Sequence, residues 1–325
     1  MTEKFDVSTG PHFHSQIYIS GIMKDVLIAL MPITLVSIYV FGRDSILSIV
    51  VCIAGALLGE VISRKVKGEK VKLEDGSAAV TGLFLALISP PAGWWVALLL
   101  YFFAGFLATA FFREYMGGLG KNRFNPALMS RIVLVLGRTA LVYLAPFLVN
   151  MHKSFESLFV ELKLLDTVTA ATPLVMVFKG MELPGYRSFL FIYEGGSLAE
   201  TSILAILLGF AYLLFKGHVK WKIPVTIIST VFVISFLTGQ APIFQILSGG
   251  LMFGSCFMAT DWATRPVTEK GKIIFGFGIG LLVLFFRIII APHWILAGGV
   301  ALSILIMNGF VPIIDKITSR KIYGE

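Results

Sequence analysis

Three groups of residues have types and spacings that could do chemistry. The first is the run Asp166-Thr167-Val168-Thr169-Ala170-Ala171-Thr172-Pro173. Pro173 biases Thr172 towards extended geometry, and Ala170 and Ala171 leave the Thr172 hydroxyl sterically open. Taken alone, the run reads first as an Asp/Thr turn closed by its own side-chain hydrogen bonds. The second is Gly117-Gly118-Leu119-Gly120 with Lys121 and Arg123 beside it. Backbone amides next to two cations suit an anion, and the same residues suit a flexible turn. The third group is ionisable: Glu60, Arg131, Arg138, Glu200 and Arg287 lie within long apolar stretches, and Asp261 ends another. If those stretches cross a membrane, such groups are costly and mark ion or ligand paths by default. The alternative is pairing between a carboxylate and an arginine on facing helices, which serves packing alone.

Metal and redox centres are not expected from the remaining candidates. His12, His14, His152, His218 and His293 form no pair at ligand spacing on a helix. Cys52 and Cys256 both fall in apolar runs and read as small packing residues. Two thiolates cannot hold an iron–sulfur cluster, which usually takes four. Neither GxGxxG nor a Walker loop occurs, so tight NAD or ATP sites are not expected on this chain.

The elements that must position these groups follow from composition. Of 325 residues, 57% are hydrophobic, only 14% are charged, and Phe occurs 28 times. Mean hydropathy is +0.87. A soluble domain cannot cover that much apolar surface with polar groups. Soluble enzyme, disordered chain and disulfide scaffold are excluded, leaving an all-α polytopic membrane protein. The net charge of +8 is then a matter of topology, since basic residues orient membrane spans, and no nucleic-acid partner is expected.

A helix needs roughly 20 apolar residues to cross a bilayer. Ten segments are candidates, near 25–42, 45–63, 77–89, 93–112 and 125–149, then near 197–215, 223–239, 243–260, 272–291 and 293–314. Residues 1–20 are polar and lack the apolar core of a signal peptide. With the N-terminus inside, nineteen of the 27 Lys and Arg residues fall in inner segments and five in outer ones. That asymmetry alternates loop by loop and predicts both termini on the cytoplasmic side.

Two spans are unusual. The third is short and runs into Ser89-Pro90-Pro91-Ala92-Gly93; the eighth is broken by Ser248-Gly249-Gly250 and by Gly254-Ser255. They hold matching places in two sets of five spans, and five is odd, so the two sets must be inverted. Interrupted helices at matching positions of an inverted repeat point to a midplane site. Gly82, Gly249, Gly250, Gly254 and Asp261 are therefore candidates for an ion path, the alternative being close helix packing by small residues. The chain divides into an inner N-terminal arm (1–24), a first five-helix repeat (25–149), an external loop (150–196), a second five-helix repeat (197–314) and an inner tail (315–325).

Nearly the whole chain resembles the D subunits of the Rnf electron-transport complex, which are related to the B subunit of the sodium-translocating NADH:quinone oxidoreductase. The resemblance rests on several stretches taken in order. They are Ser8-Thr9-Gly10-Pro11-His12, then Gly76-Ser77-Ala78-Ala79-Val80-Thr81-Gly82, then the glycine run at 117–120 with Asn122 and Phe124-Asn125-Pro126-Ala127-Leu128. The Asp166 to Pro173 run follows, then Gly195-Gly196-Ser197 with Glu200-Thr201-Ser202, and Met258-Ala259-Thr260-Asp261 with Pro266-Val267-Thr268.

The resemblance implies FMN esterified through its phosphate to Thr172, attached by a flavin transferase. Asp166, Thr169, Ala171 and Thr172 fit the transferase's recognition pattern, and Ala170 stands where the pattern has glycine. The difference is one methyl group, which matters where a positive φ is needed. It also implies a second, non-covalent riboflavin, with Asn122 and Asn125 in the matching motif. A phosphate tether fixes the position of a flavin and leaves its ring electronics alone.

The function so implied is that of a membrane subunit in a redox-driven ion pump of the ferredoxin:NAD oxidoreductase type. It would sit in the cytoplasmic membrane of a bacterium or archaeon with the other subunits of its complex, relaying electrons and contributing to sodium or proton movement. As an enzyme component it is not expected to catalyse the whole reaction alone. A channel or secondary transporter for a small solute is the rival class, because inverted repeats with broken helices suit a pore as well.

Overall fold

The computed structural model describes residues 19–69, 71, 73–151, 185–290 and 299–319, with backbone only at 19, 138, 141–151 and 290. Every regular element among them is helical. Helices α1 (Ile19–Phe41) and α2 (Arg43–Val66) form a hairpin turned by Gly42 alone, at φ 56°. Then come α3 (Ser77–Leu87), α4 (Trp95–Thr109), a π-helical turn over Ala110–Tyr115, and α5 (Pro126–Met151). After the short α6 (Tyr186–Phe191) come α7 (Ile203–Phe215), α8 (Lys222–Leu237), and the fragments α9 (Pro242–Leu247) and α10 (Leu251–Phe253). A second π turn, Gly254–Met258, prolongs α10. The described chain ends with α11 (Glu269–Phe285), a third π turn over Phe286–Ile290, and α12 (Val300–Thr318).

Five stretches are long and apolar enough to cross a bilayer: Ser20–Phe41, Arg43–Val66, Trp95–Tyr115, Glu269–Ile289 and Val300–Thr318. Ser77–Leu87, Ile203–Phe215 and Lys222–Leu237 are apolar but shorter. At 1.5 Å per residue the 11 residues of α3 cover only about half of a ~30 Å hydrocarbon layer. The expected interruption of the third span is thus a helix that stops at Leu87 and continues as irregular chain up to α4. The interruption at Ser248-Gly249-Gly250 separates α9 from α10.

Three details differ from the sequence reading. At Gly254-Ser255 the path stays helical and widens to a π turn. The sixth span starts later than 197: Leu198–Thr201 form a 3-10 turn, and α7 begins after Ser202, whose hydroxyl accepts from Ala205 N at 3.3 Å. The last helix begins at Val300, after Gly299 at φ 60°.

Packing sets α3 and α10 in the interior. The buried cluster joins Leu30 and Ile33 of α1, Leu85 and Leu87 of α3, Ile206 of α7 and Phe253 of α10. Around it, α2 lies along α4, α8 along α11, α1 along α7, and α5 meets α12. The α2–α4 contact is backbone on backbone: a Cβ on Gly55 would overlap the Phe102 carbonyl, and one on Gly105 the Cys52 carbonyl. Outward faces stay apolar, with Leu35, Phe103, Val225 and Phe277 each about half exposed. A watery surface would not tolerate that band; lipid or partner helices would.

Candidate functional site

Three constructions bring chemistry-bearing side chains together. The first is a partly open pocket of about 70 Å³ bordered by α1, α3, the π turn after α4, the start of α5 and the 261–263 loop. Thr81, Arg113, Asn122, Asn125, Asp261 and Trp262 line it. Asn125 stands at the start of α5, where Pro126 follows: its Oδ1 accepts from Ala127 N at 3.1 Å and Leu128 N at 3.3 Å. Its Nδ2 donates to Asp261 Oδ2 at 3.2 Å. Asn122 Nδ2 donates to the Phe124 carbonyl at 3.0 Å. Asp261 Oδ1 also accepts from Ala263 N at 3.3 Å. Burial pushes the Asp261 carboxyl above the usual carboxylate range, opposed by these hydrogen bonds and by Arg265.

A flavin ring needs more room than this. Ligand pockets run from about 300 Å³ upwards, whereas this one measures about 70 Å³. Both asparagines are also engaged by neighbours. As they stand, these residues do not fit a riboflavin.

The second construction ties down the start of α3. Arg113, on the π turn after α4, is 1% exposed, and Glu60 of α2 is 0% exposed. Arg113 Nη2 lies 2.9 Å from Glu60 Oε2, and Arg113 Nε lies 3.3 Å from Glu114 Oε1. Arg64 Nη2 meets Glu60 Oε1 at 2.7 Å. Arg113 Nη1 donates to Ser77 Oγ at 3.1 Å, and Ser77 Oγ donates to Asp75 Oδ1 at 2.8 Å. A buried charge network of this kind is held by mutual pairing, and loss of one member strands the others.

The third lies at the α9/α10 break. Ser248 is extended, and Gly249 and Gly250 both take left-handed φ, 63° and 68°. Residues with a Cβ avoid that region. The turn aims successive carbonyls at Arg287, on the π turn after α11. Arg287 Nη1 donates to the Gln245 carbonyl and, at 3.1 Å, to Gln245 Oε1. Its Nη2 donates to the carbonyls of Ser248 at 2.9 Å and Gly249 at 3.4 Å. Glu200 lies next to the break: its Oε1 accepts from Ser197 Oγ at 2.8 Å and lies 3.5 Å from where a Cβ on Gly250 would stand.

The expected site residues separate accordingly. Asn122, Asn125 and Asp261 share the cavity; Gly249 and Gly250 form the break. Gly82 packs on α2, a Cβ there coming within 2.7 Å of Ile53 Cα, and Gly254 faces Val300 of α12. Asp166, Thr169, Ala171 and Thr172 lie outside the described residues. Arg113, one of the nineteen cations that the sequence assigns to inner segments, is buried. One signal would have found it: Phe111-Phe112-Arg113 is repeated as Phe285-Phe286-Arg287.

Interrupted apolar helices around buried charges define a multi-pass membrane protein with internal polar sites. The chain belongs to the family described as NQR2, RnfD, RnfE, which matches residues 6–324. It is 36% identical over 324 residues to the D subunit of the Na(+)-translocating ferredoxin:NAD(+) oxidoreductase complex of Acetobacterium woodii, covering 98% of this chain and 95% of that one. It is 34% identical over 347 residues to the D subunit of the proton-translocating ferredoxin:NAD(+) oxidoreductase complex of Clostridium ljungdahlii, covering 98% and 96%. With the D subunit of the ion-translocating oxidoreductase complex of Aliivibrio salmonicida it shares 32% over 355 residues, 99% of each chain.

Proposed function

We propose that this chain is the membrane-embedded D subunit of an ion-translocating ferredoxin:NAD oxidoreductase. The observation that carries this is the match, over nearly the full length of both chains, to relatives bearing that description. The protein works with the other members of its complex in the cytoplasmic membrane, with both termini inside. One sodium-named and one proton-named relative match almost equally, so overall identity does not select the ion.

The same proposal includes ten spans in two inverted sets of five. Support comes from matched packing: first spans α1 and α7 lie together, and second packs on fourth in each set, α2 on α4 and α8 on α11. Each interrupted helix starts after a left-handed glycine, Gly76 before α3 and Gly250 before α10.

Electrons pass, in this reading, through FMN esterified to Thr172 by a flavin transferase, in the external loop. When bound, the flavin supplies the redox chemistry, and the chain supplies its tether and its place near the outer ends of the interrupted helices. Riboflavin at Asn122 and Asn125 belongs to the reading only if the inner cavity widens several-fold.

The test is direct. Protein co-expressed with the transferase should give a band that fluoresces under ultraviolet light after denaturing electrophoresis. The peptide spanning Thr172 should carry the mass of a flavin phosphate, and Thr172→Val should abolish both signals. An unmodified peptide from co-expressed protein overturns the tether.

A further inference from the structure

Three lysines share one carboxylate where α8 and α11 begin. Lys220 Nζ lies 2.7 Å from Glu269 Oε1, Lys222 Nζ 2.8 Å from Glu269 Oε2, and Lys272 Nζ 2.7 Å from Glu269 Oε1. One negative charge cannot balance three positive ones, so the cluster keeps a surplus of two cations. The three lysines are not equivalent. The Lys272 side chain is 6% exposed and is committed to Glu269, three residues before it on the same helix. Lys220 is 56% exposed and Lys222 33%. Surface ion pairs contribute little to stability, so these two can turn from Glu269 to a stronger acceptor at little cost to the fold.

The backbone around the cluster favours negative charge as well. Gly276 of α11 faces Thr226 of α8, and Gly280 faces Thr230, so the two helices run parallel and start together. Their positive ends add to the field of the lysines. The Thr268 hydroxyl caps α11, accepting from Gly271 N at 3.0 Å, whereas among the described residues no side chain caps α8.

Apolar surface begins directly beyond the lysines. Trp221, between Lys220 and Lys222, is 58% exposed, and tryptophan is enriched at the headgroup level of bilayers. Within the next two turns lie Val225 of α8 and Ile273 and Phe277 of α11, each about half exposed. Accessible cations joined to an apolar stripe suit a molecule with an anionic head and hydrocarbon tails. An acidic peptide would satisfy the lysines and leave the apolar side chains uncovered.

We propose that the lysines at the starts of α8 and α11 bind the headgroup of an anionic phospholipid, whose acyl chains lie along the half-exposed apolar side chains of the two helices. Lys220 and Lys222 hold the phosphate, and Lys272 neutralises Glu269 beside it. Basic clusters between membrane helices on the cytoplasmic side are suited to anionic lipid headgroups. Placement in the inner leaflet rests on the orientation proposed above; the preference for an anionic lipid does not.

Native mass spectrometry of the full chain in detergent tests this, with phosphatidylglycerol titrated against phosphatidylcholine of the same acyl chains. The wild type should bind the first phosphatidylglycerol about tenfold or more tightly than the first phosphatidylcholine. Lys220→Gln/Lys222→Gln should lose most of that preference. Glu269→Gln removes the competing carboxylate and should tighten phosphatidylglycerol binding, a direction that a merely structural ion pair does not give. A folded double variant with the wild-type preference overturns the proposal and leaves the surplus lysines to an acidic protein partner.

If the double variant does not fold, Glu269→Gln decides, and unchanged or weaker phosphatidylglycerol binding overturns the proposal. Inorganic phosphate at the concentration of the lipid should not compete; competition marks a site for a soluble anion and overturns the lipid. Impermeant thiol labelling that reversed the orientation would move the site to the outer leaflet with the lipid preference intact.

Discussion

Arg113 and Arg287 stand in the same relation to the two interrupted helices. Each closes a Phe-Phe-Arg triplet, each sits on a π-helical turn ending a long apolar helix, and each is 1% exposed. Arg113 reaches Ser77 at the first turn of α3, and Arg287 reaches the carbonyls just before α10. The buried charges therefore organise the starts of the two interrupted helices.

The Arg113 network makes a prediction about stability. Arg113→Met leaves Glu60 buried with Arg64 as its remaining close partner, at 2.7 Å. Breaking a buried pair costs about 3–5 kcal/mol, and the surviving Arg64 contact places this case at the lower end. Arg113→Met combined with Glu60→Gln should recover much of the loss, since one charge of each sign is removed and Glu114 keeps Lys67 at 3.7 Å and Arg64 at 3.9 Å. Thermal unfolding of the purified protein in detergent measures both. A double variant no better than the single one shows that shape, and not charge, holds the α3 start.

The α2–α4 contact makes a second. Gly55→Ala puts a methyl group into the Phe102 carbonyl, and backbone cannot yield as a flexible side chain does. Overpacking of this kind costs roughly 1–3 kcal/mol. Gly21 and Gly137 have open space where a Cβ would go. There, Gly→Ala should be neutral or stabilising by up to about 1 kcal/mol from helix propensity. Melting temperatures of the three variants should rank accordingly, and an undisturbed Gly55→Ala protein rules out the close approach.

Much of the architecture was legible in the sequence because bilayer thickness forces long apolar runs, and Pro90-Pro91 and Gly249-Gly250 announce the interruptions. Legibility fails where partners are distant. Arg113 follows a long apolar run and precedes a glycine-rich loop, so nothing local separates a solvated cation from one buried against Glu60, fifty-odd residues away. The same holds for Asn125, which looks like a ligand group and instead caps α5 while holding Asp261. Glycine at 254 reads as a breaker, yet the chain absorbs it as a π turn.

Asp261 should give the protein a pH signature. Burial raises its carboxyl above the ordinary 3.8, so the folded state holds this proton more tightly than the unfolded state. The stabilising contribution is complete below pH 3.8 and is lost as pH rises through the higher folded value. Asp261→Asn removes the titration and should flatten that part of the stability-against-pH curve. Denaturation midpoints from pH 4 upwards compare the two, and parallel curves exclude a raised Asp261.

Topology is open to chemical labelling. The native thiols Cys52 and Cys256 are both buried, so background reaction is low. Ser157→Cys, in the predicted external loop, should react with a membrane-impermeant maleimide added to whole cells. Ser319→Cys, at the end of α12, should react only after permeabilisation. The reverse pattern inverts the orientation and places the proposed flavin loop inside.

The break itself gives the last prediction. Gly250 holds φ 68° beside Glu200. Substituting leucine there has two consequences: left-handed backbone strain of about 1–2 kcal/mol, and a bulky group against Glu200 at the break. If ions cross at this point, Gly250→Leu should slow ferredoxin-driven ion uptake into vesicles by about tenfold, the effect of roughly 1.4 kcal/mol on a barrier. Flavin attachment at Thr172 involves residues far along the chain and should stay at the wild-type level. Uptake and flavin content are measured on the same vesicle preparation. Normal uptake with normal flavin makes Gly250 a packing residue and moves the ion path away from the break, to an interface with another subunit. Loss of both marks general misfolding, which Gly250→Ala separates: with the strain retained and the bulk removed, it should recover most of the uptake if bulk is the obstacle.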